Sequence, residues 1–448
     1  MTESRTQLLC AAVALGLIAG CQATRPVPAT APAEPAAPVA VSSPLTYEPA
    51  RQGLPSGKIF KSQISFGDIN GDGNPDIGFV TRLADGPFIF AGDGKGHWTD
   101  ASNGLPRETF CGGGVEFADI NNDGKTDVAV ADHCKGVYVF LGDGAGNWKA
   151  ASSGLPTIGC EDVAIGDFDK DGCADLVVIA ASEEGIRTFR GDCKGTWRER
   201  TEGLPQNEWG NALAVGDVDG DGNLDIAAAY SAGPRVWLGN GKGGFREGSE
   251  GLPAPDVHGL YMFGIALGDV NGDGKLDLAA SSAVPGIEVF LWDNGKWKVS
   301  STGLMPMNAL GVAFGDLNND GKTDLVVAGK TNLEEIGGVY GVFPFLGDGQ
   351  GNWKLVETTT LPLTGRERTW GVGLADVDRD GVLDIGVAFG DVLSPTYRTG
   401  GKKDAAKKAG DQKADTKFDP KAKLDPKSQG PERGRFGSIE VWRGRISR

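Results

Sequence analysis

Short apolar runs recur along the chain, each bounded by Gly, Asp and Asn. Ala212-Leu213-Ala214-Val215-Gly216 leads into one such turn, and Leu176-Val177-Val178-Ile179-Ala180 leads out of another. A third type of run ends in a Gly-rich turn and an aromatic, as in VYVFLGDGAGNW ending at Trp148. A fourth closes on Gly-Leu-Pro: WKAASSGLP, WRERTEGLP, FREGSEGLP. Runs of this length between turn residues predict strands. Four of them in every 50 or so residues predict one blade, and seven such units predict a closed ring.

The unit is marked by a nine-residue acidic loop between its first and second strands. The first aspartates of the copies stand 51, 48, 50, 52, 47 and 60 residues apart. Positions 1, 3, 5 and 9 carry Asp, Asp/Asn, Asp and Asp, and position 6 is Gly in all seven copies. Carboxylates on alternate residues of a curling loop can converge on one hard cation, with the position-7 carbonyl as a further oxygen. The candidate ligands of the first two loops are Asp68, Asn70, Asp72, Asn74, Asp76 and Asp119, Asn121, Asp123, Lys125, Asp127. The third and fourth offer Asp167, Asp169, Asp171, Cys173, Asp175 and Asp217, Asp219, Asp221, Asn223, Asp225. The fifth, sixth and seventh offer Asp269, Asn271, Asp273, Lys275, Asp277; Asp316, Asn318, Asp320, Lys322, Asp324; and Asp376, Asp378, Asp380, Val382, Asp384. Lys125, Cys173, Lys275, Lys322 and Val382 enter only through their carbonyls. An EF-hand would need an acidic bidentate ligand at position 12, where Phe79 and Val130 stand. An Asp-Gly hairpin turn would explain one copy but not four matched ligand positions in seven.

These loops resemble FG-GAP repeats, also called VCBS or integrin α-type repeats: an apolar strand, a D-x-[DN]-x-DG-x-x-D loop and a GDGxGxW-like turn. The resemblance runs from Tyr47 to Arg448 and implies an all-β, seven-bladed β-propeller binding up to seven Ca²⁺. The chain ends test closure. The last copy stops after its third strand, near Arg448, while YEPARQGLP (47–55) has the spacing of a fourth strand. The N-terminal strand is therefore expected to complete blade seven.

Composition sharpens this picture. Glycine supplies 71 of 448 residues, without a collagen period, and ten tryptophans argue against disorder. Acidic residues outnumber basic ones 60 to 44, a net −16, which excludes a nucleic-acid binder. The loop positions hold 24 of those 60 carboxylates, so the acid skew reads as a metal requirement. Crowded carboxylates repel one another until a cation is bound.

Residues 1–21 have a short apolar run ending in Ile18-Ala19-Gly20-Cys21, which resembles a bacterial lipobox with Cys21 as the lipidated residue. Residues 22–44 are Ala/Pro-rich and read as a tether, and 45–448 as the propeller. An insertion at 401–435, with 11 basic and 6 acidic residues, interrupts blade seven. Among the later cysteines, Cys173–Cys193 and Cys111–Cys134 are the expected pairs, leaving Cys160 odd. No G-x-S-x-G, H-E-x-x-H or P-loop occurs, and histidines number three. The expected function is therefore a non-enzymatic envelope or surface module, outer-membrane anchored through its lipid, that binds a protein or a glycan. A polysaccharide-active enzyme and a structural scaffold subunit of an envelope complex are the alternatives. Trp209, Tyr261, Arg366, Arg368 and Trp370 fall in connections on the face opposite the loops and are the candidate ligand-binding residues.

Overall fold

Each acidic loop separates two strands of opposite burial demand. The strand after it is apolar behind its first aspartate, as in Asp175–Ala180 and Asp225–Tyr230, and every residue of these two is buried. A strand buried on both faces lies in the middle of a sheet with layers on either side. The fourth strand, as in Trp148–Ala150, buries its aromatic and exposes the rest.

The computed structural model describes residues 45–181, 184–230, 232–253, 262–283, 286–331, 339–356, 360–361, 363–364, 368–390 and 437–446. The signal segment, Cys21, the tether, the insertion 401–435, Tyr261 and Arg366 lie outside them. The described strands form seven antiparallel sheets built on four strands each. Blade three shows the pattern: Cys160–Gly166, Asp175–Ala180, Ile186–Gly191 and Trp197–Glu199 in simple meander order. The first strands contact one another in cyclic order, closing with Ser65–Gly67 of blade one against Arg368–Ala375 of blade seven. The chain is an all-β, seven-bladed propeller.

Closure follows the expected route. Leu45–Pro49 pairs antiparallel with Ile439–Ile446, Tyr47 facing Gly444, and supplies the fourth strand of blade seven. The core is divided among seven apolar clusters, one at each interface between neighbouring blades. One of them joins blade seven to blade one through Val377, Ile439 and Val441 against Phe79 and Phe90.

A second set of contacts stitches blades at their outer strands. The indole N–H groups of Trp98, Trp148, Trp197, Trp297 and Trp353 donate to carbonyls one blade back, at 2.7–2.9 Å. In return, the glycine of each Gly-Leu-Pro turn lies against the next blade. A Cβ on Gly154 would stand 2.1 Å from the Trp197 carbonyl oxygen, and its φ is +91°. The Gly-Leu-Pro motif is thus a close-approach requirement as well as a turn. Both expected disulfides, Cys111–Cys134 and Cys173–Cys193, are present, and Cys160 is a buried free thiol.

Candidate metal centres and the channel mouth

All seven acidic loops fold the same way. The first aspartate accepts the N–H of the position-6 glycine at 2.8–2.9 Å, from Asp68 with Gly73 to Asp376 with Gly381. The fifth residue accepts the N–H of the seventh, curling the loop: Asp171 takes Cys173 at 2.8 Å and Asp380 takes Val382 at 2.9 Å. The ninth aspartate is buried and tied twice. Asp175, for instance, accepts from Phe168 at the loop entrance and from Gly191 on the third strand. Burial raises the pKa of these ninth aspartates to about 6 for Asp76, Asp127, Asp175 and Asp277, and about 7 for Asp225, Asp324 and Asp384, against their backbone hydrogen bonds.

The third position divides the loops into two electrostatic types. Where it is Asn, its amide donates to the fifth-position carboxylate, as Asn70 to Asp72 and Asn271 to Asp273. Where it is Asp, arginine from the third strand, or from or just after the fourth, pairs with that aspartate. Arg190 and Arg200 pair with Asp169, Arg246 with Asp219, and Arg443 and Arg445 with Asp378. Carboxylate oxygens of positions 1, 3 and 9 in these three loops lie within 4.8 Å of one another: Asp167, Asp169, Asp175; Asp217, Asp219, Asp225; and Asp376, Asp378, Asp384.

The donor set fits a hard divalent cation, and two atoms say so directly. Oδ1 of Asp169 and Oδ1 of Asp378 are buried without a hydrogen-bond partner, while the other oxygen of each carboxylate holds arginine. A buried carboxylate oxygen left unpaired is costly, and an ion of the calcium class would satisfy it. Val382 is buried, so of that residue only the backbone is available to a metal. Cys111, Asp132 and Cys134 also cluster, but the two sulfurs are bonded to each other and Asp132 accepts the N–H of both cysteines.

Neighbouring loops touch. Position 4 takes a left-handed conformation in every copy, as Gly71, Gly220 and Gly272 but also as Asn122, Lys170, Asn319 and Arg379. Three of the non-glycine side chains reach the following loop: Asn122 donates to the Gly172 carbonyl, Asn319 to that of Gly381, and Arg379 to Asn74 Oδ1.

The opposite end of the channel is built from one repeat position. Six residues before each loop stand Ser62, Gly113, Glu161, Asn211, Phe263, Leu310 and Trp370, no two alike. In blades three to seven the pairing register slips at this residue, a β-bulge that turns it out of the ladder. All seven line a depression of about 40 Å³ at the channel mouth. Small-molecule sites run to roughly 300–1,000 Å³. Glu161 is buried beneath it, ion-paired with Lys61 at 2.9 Å and in contact with His133. Those two partners outweigh burial and hold its carboxyl well below the usual range. Below the mouth, a channel space of about 230 Å³ is aliphatic except for Gln63, Glu116 and Asp162. Burial raises Asp162 to about 8 and Glu116 to about 7.

Of the candidate ligand-binding residues, Trp370 lines the mouth and Arg368 stacks over it, 5.7 Å from the ring centroid. Trp209 does not join them: it lies two residues before Asn211, half-buried, and is not part of the mouth lining. Sequence reasoning missed Lys61, Glu161, Asn211, Phe263 and Leu310. For Glu161, Asn211, Phe263 and Leu310 the signal available was the constant offset of six residues from each first aspartate, and Lys61 stands one residue before that position in blade one.

Five overlapping segments, 68–130, 119–178, 177–228, 217–280 and 269–327, match the FG-GAP-like repeat model, together more than half of the chain. The chain belongs to the FG-GAP-like repeat family. The seventh FG-GAP loop, from Asp376, lies outside the matched segments yet repeats the same hydrogen bonds. No curated protein matches the sequence. Among solved structures, BBS1N in complex with ARL6DN, soaked with lead, is 13% identical with a TM-score of 0.51, covering 78% of this chain and 94% of that one. The mercury-soaked crystal gives 13% and 0.50 over 76% and 93%. Sqt1 of Saccharomyces cerevisiae is 13% identical, with a TM-score of 0.49 over 78% and 96%. At this identity the BBS1N likeness shows the propeller fold. Among the described residues no nucleophile, base and orienting group come together as a catalytic arrangement.

Proposed function

We propose that this chain is a calcium-stabilised, non-enzymatic propeller that acts as a scaffold subunit, docking a partner protein on the channel mouth. One observation carries the reading. The strand order, the acidic loop and its position-6 glycine recur in every blade, whereas the mouth position differs in all seven copies and so presents one asymmetric surface. The shallow mouth suits a surface contact better than an enclosed substrate. A propeller of this architecture, BBS1N, is crystallised in complex with ARL6DN, which supports a protein partner. Calcium serves the frame, drawing each loop onto its ion and, through contacts such as Asn319 with Gly381, each blade onto the next.

The N-terminal sequence adds an anchor to this reading: lipid on Cys21, a Pro-rich tether, and a place in a bacterial envelope, facing the periplasm or the exterior. Crosslinking capture from the source membranes tests both parts. The expected result is a co-purifying envelope protein that is lost on Trp370→Ala and weakened by chelator, with lipid-modified Cys21 in the N-terminal peptide. Retention of all partners by Trp370→Ala would remove the mouth from the account. Binding of polysaccharide in their place would favour the glycan reading.

A further inference from the structure

The mouth is chemically lopsided, and its cations gather where blades seven and one meet. The Trp370 ring has two cations over it, Lys61 with Nζ 5.9 Å from the ring centroid and Arg368 at 5.7 Å. Arg82 lies close by. It begins the short strand Arg82–Asp85, which pairs with Thr109–Cys111, and it bridges to Ile59 two residues before Lys61. Its Nε is buried without a hydrogen-bond partner. Burial works against its charge, and so does Arg368, while Glu161 supports it. Glu161 is already held by Lys61 and His133. Among the described residues, neither Arg82 nor Arg368 is ion-paired.

Such a concentration of cations is out of character for a chain of net charge −16 whose acidic loops lie at the other end of the first strands. The Gly390 carbonyl accepts the indole N–H of Trp370, so the end of the strand Asp384–Gly390 adjoins the same sector. The mouth also has an apolar side, made by Phe263 and Leu310 next to Trp370. Leu83, next to Arg82, is 42% exposed and held at φ +56°, a conformation that disfavours leucine. Strain of this kind collects at functional surfaces.

We infer that the blade-seven and blade-one sector of the mouth receives an acidic segment of a partner protein. A carboxylate of that segment sits between Arg82 and Arg368, and an adjacent apolar side chain lies on Trp370 and Leu310. Guanidinium groups suit a planar carboxylate, and the apolar half suits a side chain that a uronate polymer or a lipid headgroup lacks. The inference rests on the scaffold reading and names the chemistry of its partner.

The test uses the full chain with calcium present and, as probe, a fluorescein-labelled peptide alternating Glu and Leu, read by anisotropy. A Gln/Leu peptide, oligogalacturonate and phosphatidylglycerol vesicles are the comparisons. The Glu/Leu peptide is expected to bind at least about tenfold more tightly than the Gln/Leu peptide, as expected for a charge-assisted contact. Binding should weaken with salt and fall about tenfold in Arg368→Gln and further in Arg82→Gln/Arg368→Gln, with Arg368→Lys intermediate. A circular-dichroism melt identifies any variant that fails to fold, and Arg368→Gln alone then decides. Equal binding of the two peptides, unchanged binding by Arg368→Gln, or preference for oligogalacturonate or vesicles overturns the inference. Membrane partners lost on Trp370→Ala but kept by the double arginine variant would overturn it while leaving the scaffold reading intact.

Discussion

Tyr47 offers a sharp test of ring closure because its ring and its hydroxyl pull in opposite directions. The ring is 2% exposed and packs in the cluster between blades six and seven with Val326, Ile385 and Phe389. The hydroxyl oxygen is buried without a hydrogen-bond partner, and burial with the nearby Asp324 and Asp384 raises its pKa. Replacing the ring with a methyl removes the apolar contact and leaves a cavity, a loss of about 3–5 kcal/mol for large aromatics. Removing only the hydroxyl relieves an unsatisfied buried group, worth about 1–3 kcal/mol. Tyr47→Ala should therefore destabilise by about 3–5 kcal/mol, and Tyr47→Phe should be neutral or stabilising by up to about 3 kcal/mol. The amide of Tyr47 still donates to Thr360 Oγ1 in both variants, so the difference isolates the side chain. Urea unfolding at fixed calcium, followed by tryptophan fluorescence, measures it. A Tyr47→Phe protein less stable than wild type by more than about 1 kcal/mol would refute the orphaned hydroxyl. A Tyr47→Ala protein within about 1 kcal/mol of wild type would refute closure by this strand.

Further outcomes follow from the same structure. Gly303→Ala puts a methyl against the Trp353 carbonyl at positive φ and should lower the melting temperature, whereas Gly321→Ala meets no atom within 4 Å and should cost only its backbone strain. Cys173→Ser/Cys193→Ser removes a crosslink spanning 20 residues and should cost about 3 kcal/mol in urea unfolding. The ninth aspartates have folded pKa values of about 6 to 7, above the ordinary 3.8, so the folded, metal-free protein binds more protons than the unfolded chain. That stability is complete below about pH 4 and is lost as pH rises through 6 to 7. Calcium competes with those protons, so its gain in melting temperature should grow from pH 5 to pH 8. A gain independent of pH would argue against the ninth aspartates as ligands.

The periodic parts of this molecule were legible because sterics imposes them on every blade. Position 6 must turn sharply and is Gly in all seven copies, the Gly-Leu-Pro glycine must admit a carbonyl, and five copies carry the tryptophan that reaches one blade back. The disulfides were legible for the complementary reason. Cys193 stands where most copies carry a glycine, and Cys173 breaks the loop pattern of the same blade. The mouth was hidden because residues pointing at a shared axis are free to differ. Glu161 and Phe263 have nothing in common but their offset, and periodicity discards such a position as noise. Trp370 was singled out as an aromatic in a connection and stands at the bulge, whereas Trp209 lies two residues upstream of the corresponding bulge residue. The arginine partners of Asp169, Asp219 and Asp378 were equally out of reach, since they come from the third and fourth strands and appear only where position 3 is Asp.

The account stands most directly on calcium. Isothermal titration of the chelator-stripped chain with Ca²⁺, with a melt of the same samples, tests it in one experiment. Binding of several ions per chain, approaching seven, with a rise in melting temperature at saturation, is the predicted result. Absence of binding, or binding that leaves the melting temperature unchanged, would contradict it.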